Sequence, residues 1–299
     1  MLDRSNFYVL INGKQRNEFL RSCGLLRSEN ICEVCERQMF IASRVANRDG
    51  EMWQCGKRTC NNRRKSIRVG SIFEGMKKQL RQYMVAIYEW CRGADAKSVC
   101  RDAKIEKKTV LLMNSFLRRT ASNWVRAMCS GKIGGEGKCV EIDETLIARR
   151  KFNRGRLVEQ LWLFGGVERD SGKFFIELVP DRSRETLEEV ILRRIEAGTT
   201  IISDEWGSYA RIGSQGFVHK TVNHSRNFVD PDHPEIHTQT IESLWNKLKA
   251  FLRKKGLTYR AKLDEYLAEF FYRENHSDVF DSIVADVVLQ HHLIVHHAV

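Results

Sequence analysis

The stretch Val140-Glu141-Ile142-Asp143-Glu144-Thr145 reads as a short apolar strand that ends on an acid. Two later stretches answer it. Thr200-Ile201-Ile202-Ser203-Asp204-Glu205-Trp206 is another β-branched run ending in an acid, and Thr238-Gln239-Thr240-Ile241-Glu242-Ser243-Leu244-Trp245 opens a helix. Around them the pattern predicts a strand over 139–143, a hairpin of 161–168 and 174–179 turned at Asp170-Ser171-Gly172, and a helix over 185–195. Strands over 199–203 and 217–222 follow, then helices over 238–254 and 263–273.

Three strands, a helix, two strands and a helix is the succession of an RNase H-like α/β fold with a mixed sheet. In that arrangement the first and fourth strands are neighbours, joined by a right-handed crossover. Asp143 and Asp204 then lie side by side near strand C-termini, where open α/β sheets build their sites. In the helix, Ile241, Leu244, Trp245, Leu248 and Leu252 form the apolar stripe, and Glu242 falls at its edge. Three carboxylates on two strand ends and a helix form a hard-oxygen cluster suited to Mg²⁺ or Mn²⁺. Two such ions about 3.5–4 Å apart clamp both oxygens of an in-line phosphoryl displacement. Taken singly, Asp204 also fits a turn cap and Glu242 a first-turn helix acid. The combination favours a metal site, with Glu144 and Glu205 facing away from their neighbours by strand alternation.

The chain has 299 residues, 42% of them hydrophobic, with net charge +12 and a pI near 9.3. That excess favours a polyanion, either nucleic acid or an anionic membrane. No apolar run approaches the length of a membrane span and no signal-peptide pattern opens the chain, so nucleic acid is the favoured partner. Nine cysteines without a secretory signal indicate a reducing compartment. Cys32-Glu33-Val34-Cys35 and Cys55-Gly56-Lys57-Arg58-Thr59-Cys60 are two close pairs about twenty residues apart, the spacing of one structural Zn²⁺ in a ribbon. Strands over 40–45 and 51–54 and a turn at Asn47-Arg48-Asp49-Gly50 complete it. The basic run holding Arg63, Arg64, Lys65 and Arg68 borders the second pair; it reads as a phosphate-contacting arm, against a plain solvated loop.

Residues 1–30 carry no assignable chemistry, 31–72 the zinc ribbon, and 73–130 helices. A short helix near 96–103 and a basic one from 109 fit a helix-turn-helix and a plain helical bundle equally well. Gly131, Gly134, Gly135 and Gly137 read as a flexible linker into a catalytic region over 138–276, and 277–299 as a tail. After the first acid come Arg149, Arg150, Lys151 and Arg154, read as DNA-backbone contacts or a solvated loop; His237, five residues before Glu242, reads as site-adjacent.

These blocks resemble the transposase domain of the Merlin superfamily and its insertion-sequence relatives. The resemblance rests on Val140–Thr145, Arg149-Arg150-Lys151-Phe152-Asn153-Arg154-Gly155-Arg156, Leu163-Phe164-Gly165-Gly166-Val167-Glu168-Arg169, 198–204, Val222-Asn223-His224-Ser225-Arg226-Asn227-Phe228-Val229-Asp230-Pro231 and 237–245. The paired cysteines and Lys65-Ser66-Ile67-Arg68-Val69-Gly70-Ser71-Ile72-Phe73 resemble the zinc region of the same family. The resemblance implies a DDE transposase with Asp143, Asp204 and Glu242 as its triad, two Mg²⁺ or Mn²⁺, and DNA (terminal inverted repeats and target) as partner. It also implies a homo-oligomer that pairs two DNA ends, working in the nucleus of a eukaryote or in the cytoplasm at the nucleoid of a bacterium. Two rivals are a recruited DNA-binding descendant without activity and a nuclease that cuts without joining.

Overall fold

The computed structural model describes residues 3–147, 161–222, 236–256 and 262–297, with side chains as far as residue 293. The chain divides into two compact units, Met1–Val125 with Phe271–Val299, and Arg126–Phe270.

The first unit begins with helices α1 (Arg4–Asn12) and α2 (Arg16–Ser22). A three-stranded antiparallel sheet of β1 (Phe40–Ser43), β2 (Glu51–Gln54) and β3 (Arg64–Ser66) follows. Helices α3 (Leu80–Cys91), α4 (Ala96–Ala103) and α5 (Lys107–Met128) come next. Asp95 caps α4 by accepting from the N–H groups of Lys97 and Ser98, and Lys104 ends it in the left-handed region at φ 55°. Within the segment read as a tail, Val279–His297 form helix α9, whose Phe280, Ile283, Val284 and Val287 are buried in this unit's core. Phe280 packs edge-on against Phe7 and Tyr88, at ring-centroid distances of 5.6 and 5.4 Å.

The second unit carries a five-stranded sheet ordered β10-β9-β5-β6-β7. Its strands are β5 (Cys139–Leu146), β6 (Trp162–Glu168), β7 (Phe174–Val179), β9 (Thr200–Asp204) and β10 (Val218–Val222). β5, β6 and β7 pair antiparallel, whereas β9 runs parallel to β5 and β10 parallel to β9. Helix α6 (Arg184–Arg194) links the hairpin to β9, and α7 (Gln239–Lys254) and α8 (Leu263–Asn275) follow β10. This is the RNase H-like order, with the first and fourth strands adjacent as the element succession predicts.

The glycine run is not a flexible linker. Ile133–Gly134 forms a short strand, β4, parallel to β8 (Ile195–Glu196). The N–H of Gly134 donates to Glu168 Oε2 at 2.8 Å and that of Gly135 to Thr199 Oγ1 at 2.8 Å. Gly134 has φ +89°, and a Cβ there would lie 2.4 Å from Thr199 Oγ1, so its glycine serves close packing rather than mobility.

Gly165, opposite Asp143 on β6, has the same logic. A Cβ would lie 2.7 Å from Trp245 Cη2 and 2.9 Å from the Phe175 carbonyl oxygen. The Trp245 indole of α7 therefore comes this close to β6 only because this position lacks a side chain. Gly165→Ala is expected to cost about 1–3 kcal/mol by overpacking, read as a lower chemical-denaturation midpoint; an unchanged midpoint would show that α7 does not need this close approach.

Candidate active site

The pleat determines which acids can meet. The last paired positions between β5 and β9 are Glu141 and Ile202. Asp143 and Asp204 each lie two residues further on, so they share a level and a face just past the end of the β5–β9 pairing; Asp204 is the last residue of β9, whereas β5 runs three residues beyond Asp143, not ending there as its sequence suggests. That face is the one α7 covers: Trp245 Nε1 donates to Asp143 Oδ2 at 3.0 Å. Glu144 points to the other face, where Tyr209 Oη donates to its Oε1 at 2.6 Å. Asp204 Oδ1 accepts from the Trp206 N–H at 3.1 Å, and Glu205 is exposed.

Helix α7 is moored to β5 at two points. Near its start, the N–H groups of Thr240 and Ile241 donate to Glu141 Oε2 at 2.8 and 3.0 Å, and Thr240 Oγ1 donates to Glu141 Oε1 at 2.8 Å. One turn later Trp245 holds Asp143. Along β5, 141 to 143 spans about 6.6 Å; along α7, 241 to 245 spans about 6 Å. Helix and strand thus run in step, and Glu242 falls between the two moorings. Being three residues before Trp245, it shares that side of the helix. It is half-buried, with Thr238 Oγ1 3.3 Å from its Oε1.

Glu141 was no candidate from sequence, yet its carboxylate is fully buried. It also accepts from Arg169 Nε at 2.7 Å, and Arg169 Nη2 donates to the His237 carbonyl oxygen at 2.6 Å. A buried carboxylate needs such donors, and a helix N-terminus supplies them with a favourable dipole. The His237 ring lies beside this anchor, its Nδ1 3.4 Å from Glu141 Oε1, so it sits at the helix start rather than with Asp143 and Asp204.

Burial, with repulsion added to it, penalises charge at the acid end of the sheet. Burial, and then the charges of Glu144 and Asp204, push the Asp143 carboxyl up to about 7, against the hydrogen bond from Trp245. Burial also raises Glu144, partly offset by the Tyr209 hydroxyl. Burial and these three carboxylates push the Tyr209 hydroxyl well up. A site that penalises its own carboxylates in this way favours a cation. Asp143, Asp204 and Glu242 are nevertheless more open than a closed metal cage: among the described residues, only the four cysteines bring three or more such ligand atoms within 4.8 Å of one another.

That second cluster is Cys32, Cys35, Cys55 and Cys60 in the first unit. The Sγ atoms of Cys35 and Cys55 are 3.6 Å apart; a tetrahedral zinc with Zn–S of about 2.3 Å sets its sulfurs about 3.8 Å apart. The backbone builds the two knuckles. The Glu36 N–H donates to the Cys32 carbonyl oxygen at 2.8 Å, and the Cys55 N–H to the Arg63 carbonyl oxygen at 2.9 Å. β1 and β2 pair from Phe40↔Gln54 to Ser43↔Glu51, bringing the second cysteine pair back to the first.

The basic run splits. Arg63 and Arg64 are exposed. Lys65 turns back, donating to the Ile31 carbonyl oxygen at 3.2 Å and pairing with Glu33 at 2.6 Å. Arg68 corrects the expected phosphate contact: its side chain is buried, with two 2.6 Å bonds to Asp49 and further bonds to the carbonyl oxygens of Met76 and Lys78. A buried guanidinium that gives four of its five N–H donors to acceptors inside the unit is not placed to hold a DNA phosphate. Arg149, Arg150, Lys151 and Arg154 lie outside the described residues.

Residues 129–275 match the family model for the ISXO2-like transposase domain. No curated protein matches the chain in sequence. Among solved structures, one described as the HTLV-2 integrase catalytic core domain in complex with magnesium (dimeric form) is similar at 13% identity and a TM-score of 0.30, covering 49% of this chain and 89% of that one. Residues 129–275, set on an RNase H-like sheet, are an ISXO2-like transposase domain.

Proposed function

We propose that the chain cuts DNA at the ends of a mobile element and joins the freed 3′ end to target DNA, with Asp143, Asp204 and Glu242 as the catalytic acids. One observation supports this reading most: Asp143 and Asp204 share a face just past the end of the β5–β9 pairing, and α7, which covers that face, carries Glu242 between its two moorings. The donor set is hard oxygen at a site that repels its own negative charge, which fits Mg²⁺ or Mn²⁺. Such ions, held by Asp143, Asp204 and Glu242, supply Lewis-acid activation of the attacking and leaving oxygens.

The chain's own residues do the positioning. Trp245 fixes one Asp143 oxygen by a hydrogen bond. Glu141 fixes the start of α7 and thereby the reach of Glu242. Burial of Asp143 keeps bulk water from screening charge that develops on phosphate. In the first unit, Cys32, Cys35, Cys55 and Cys60 hold a structural zinc, and the exposed Arg63 and Arg64 next to it contact the DNA backbone. The net charge of +12 suits a polyanionic substrate.

The test uses duplex DNA carrying the sequence that flanks the gene, a target plasmid and Mg²⁺. Cleaved ends and joined products from the wild type, both lost with Asp204→Ala, are expected. Cleavage without joining would make the protein a nuclease. Equal binding by both proteins with neither product would make it a DNA-binding descendant.

A further inference from the structure

We propose that Trp206, Arg182 and Trp162 form a stacking platform for one unpaired nucleobase of the DNA substrate, beside the acids but on the opposite face of the sheet edge. This rests on DNA being the substrate, as proposed above. The Arg182 guanidinium carbon lies 4.1 Å from the Trp162 ring centroid and 4.5 Å from that of Trp206. Trp206 keeps 41% of its surface exposed. An exposed tryptophan is often loose, but this one is clamped. Its N–H donates to Asp204 Oδ1 at 3.1 Å and its Nε1 to the Arg182 carbonyl oxygen at 3.5 Å. The turn that carries it is tied to the same segment. Ser208 Oγ donates to the Arg182 carbonyl oxygen at 2.9 Å and Arg184 Nη2 to the Gly207 carbonyl oxygen at 3.3 Å.

A rigid indole backed by a guanidinium suits a nucleobase. Every base has a π-face, and a fixed aromatic loses little freedom when one stacks on it. The arginine adds a cation to the stack and stays close to the phosphates of the same strand. Position gives the register. Trp206 is two residues after Asp204, and Trp162 pairs with Leu146, three residues beyond Asp143. Three strand residues span about 10 Å, or about three nucleotides at 3.4 Å each along one strand. The stacked base therefore lies within about three nucleotides of the phosphate held at the acids.

The base must also be unpaired. Asp143 and Asp204 face α7, whereas Trp162 shares its face with Ile142 and Phe164, the side that α6 covers. A strand with one phosphate at the acids must cross the sheet edge to bring a base onto Trp206. A base inside an intact duplex stack cannot make that excursion.

The platform is tested by a double-mutant cycle on DNA affinity, with Ca²⁺ replacing Mg²⁺ so that binding is read without turnover. Wild type, Trp206→Ala and Trp206→Phe are each measured on flank DNA in which the three nucleotides on either side of the cut are left unpaired by mismatches, and on versions with one abasic site at each of those positions. Trp206→Ala is expected to weaken binding about tenfold, within the range for base–aromatic stacking, with Trp206→Phe close to wild type. At one position the abasic site should cost the wild type the same factor and cost Trp206→Ala nothing more. Additive losses at every position, or an alanine variant within about twofold of wild type, would overturn the platform. Products from the wild type with Mg²⁺ report separately on the proposed reaction, so a failed platform and a failed enzyme leave different records.

Discussion

Asp143→Asn is expected to abolish strand cleavage, by at least about a thousandfold, and at the same time to make the metal-free protein more stable. Both effects have one cause. The carboxylate of Asp143 is held in a buried setting with Glu144 and Asp204 as like-charged neighbours, which raises its pKa to about 7. An unfolded aspartate ionises near 4. Between about pH 4 and 7 the folded state therefore holds a proton that the unfolded state has released, so this group costs stability as pH rises through that window. Asparagine carries no charge to desolvate, and its side-chain oxygen can still accept from Trp245 Nε1. A gain on the order of 1–2 kcal/mol is expected near neutral pH, or a Tm about 5 °C higher. Millimolar Mg²⁺ should raise the Tm of the wild type and leave that of the variant nearly unchanged, because only the wild type offers the anion. A variant less stable than wild type without metal would show that the Asp143 charge is compensated within the fold. Retained cleavage would remove Asp143 from the reaction.

The strand order and the helix that carries Glu242 were legible because each has a strong local signature. β-branched runs ending on acids and an apolar stripe at helical spacing need no partner to be recognised. The level of Asp143 and Asp204 follows from parallel pairing, which the element order implies. Glu141 was not legible. An acid inside a strand says only which face it occupies, and the N–H groups that make it tolerable come from a helix start 99 and 100 residues later. Arg68 misled for the complementary reason: charge density along the chain reads as exposure, while its partner Asp49 lies 19 residues back across the sheet. The glycine run failed as a linker because glycine marks both mobility and close approach, and only the position of Thr199 distinguishes them. The final helix lacked a sharp apolar stripe, so its place in a core was set by Phe7 and Tyr88, far away in sequence.

Removing zinc is expected to dismantle the ribbon of the first unit, and Cys55→Ser to do the same without a chelator. The four sulfurs lie within 4.8 Å of one another, and Cys32, Cys55 and Cys60 are buried. Four thiolates that close repel strongly unless a cation sits among them. The protein's own groups favour only a first thiolate: N–H groups of Val34 and Cys35 lower Cys32 to about 6, whereas Cys35 and burial push Cys60 up to about 12. Zinc would hold all four as thiolates and so tie the Cys32 and Cys55 knuckles together. Besides it, Lys65 joins β3 to the first knuckle through the Ile31 carbonyl oxygen and Glu33, and the sheet between the knuckles has strands of only four, four and three residues. Such a sheet is too small to be stable by itself. The purified protein should contain about one zinc per chain. Chelation should lower the Tm of the first transition by at least about 10 °C, and Zn²⁺ but not Mg²⁺ should restore it, since Mg²⁺ prefers oxygen ligands. Trp53, buried on β2, offers a local fluorescence signal for the ribbon. Zinc-free protein with that signal and its Tm intact would show that the cysteines pack as ordinary core residues, and the site would then be only a coincidence of four small side chains.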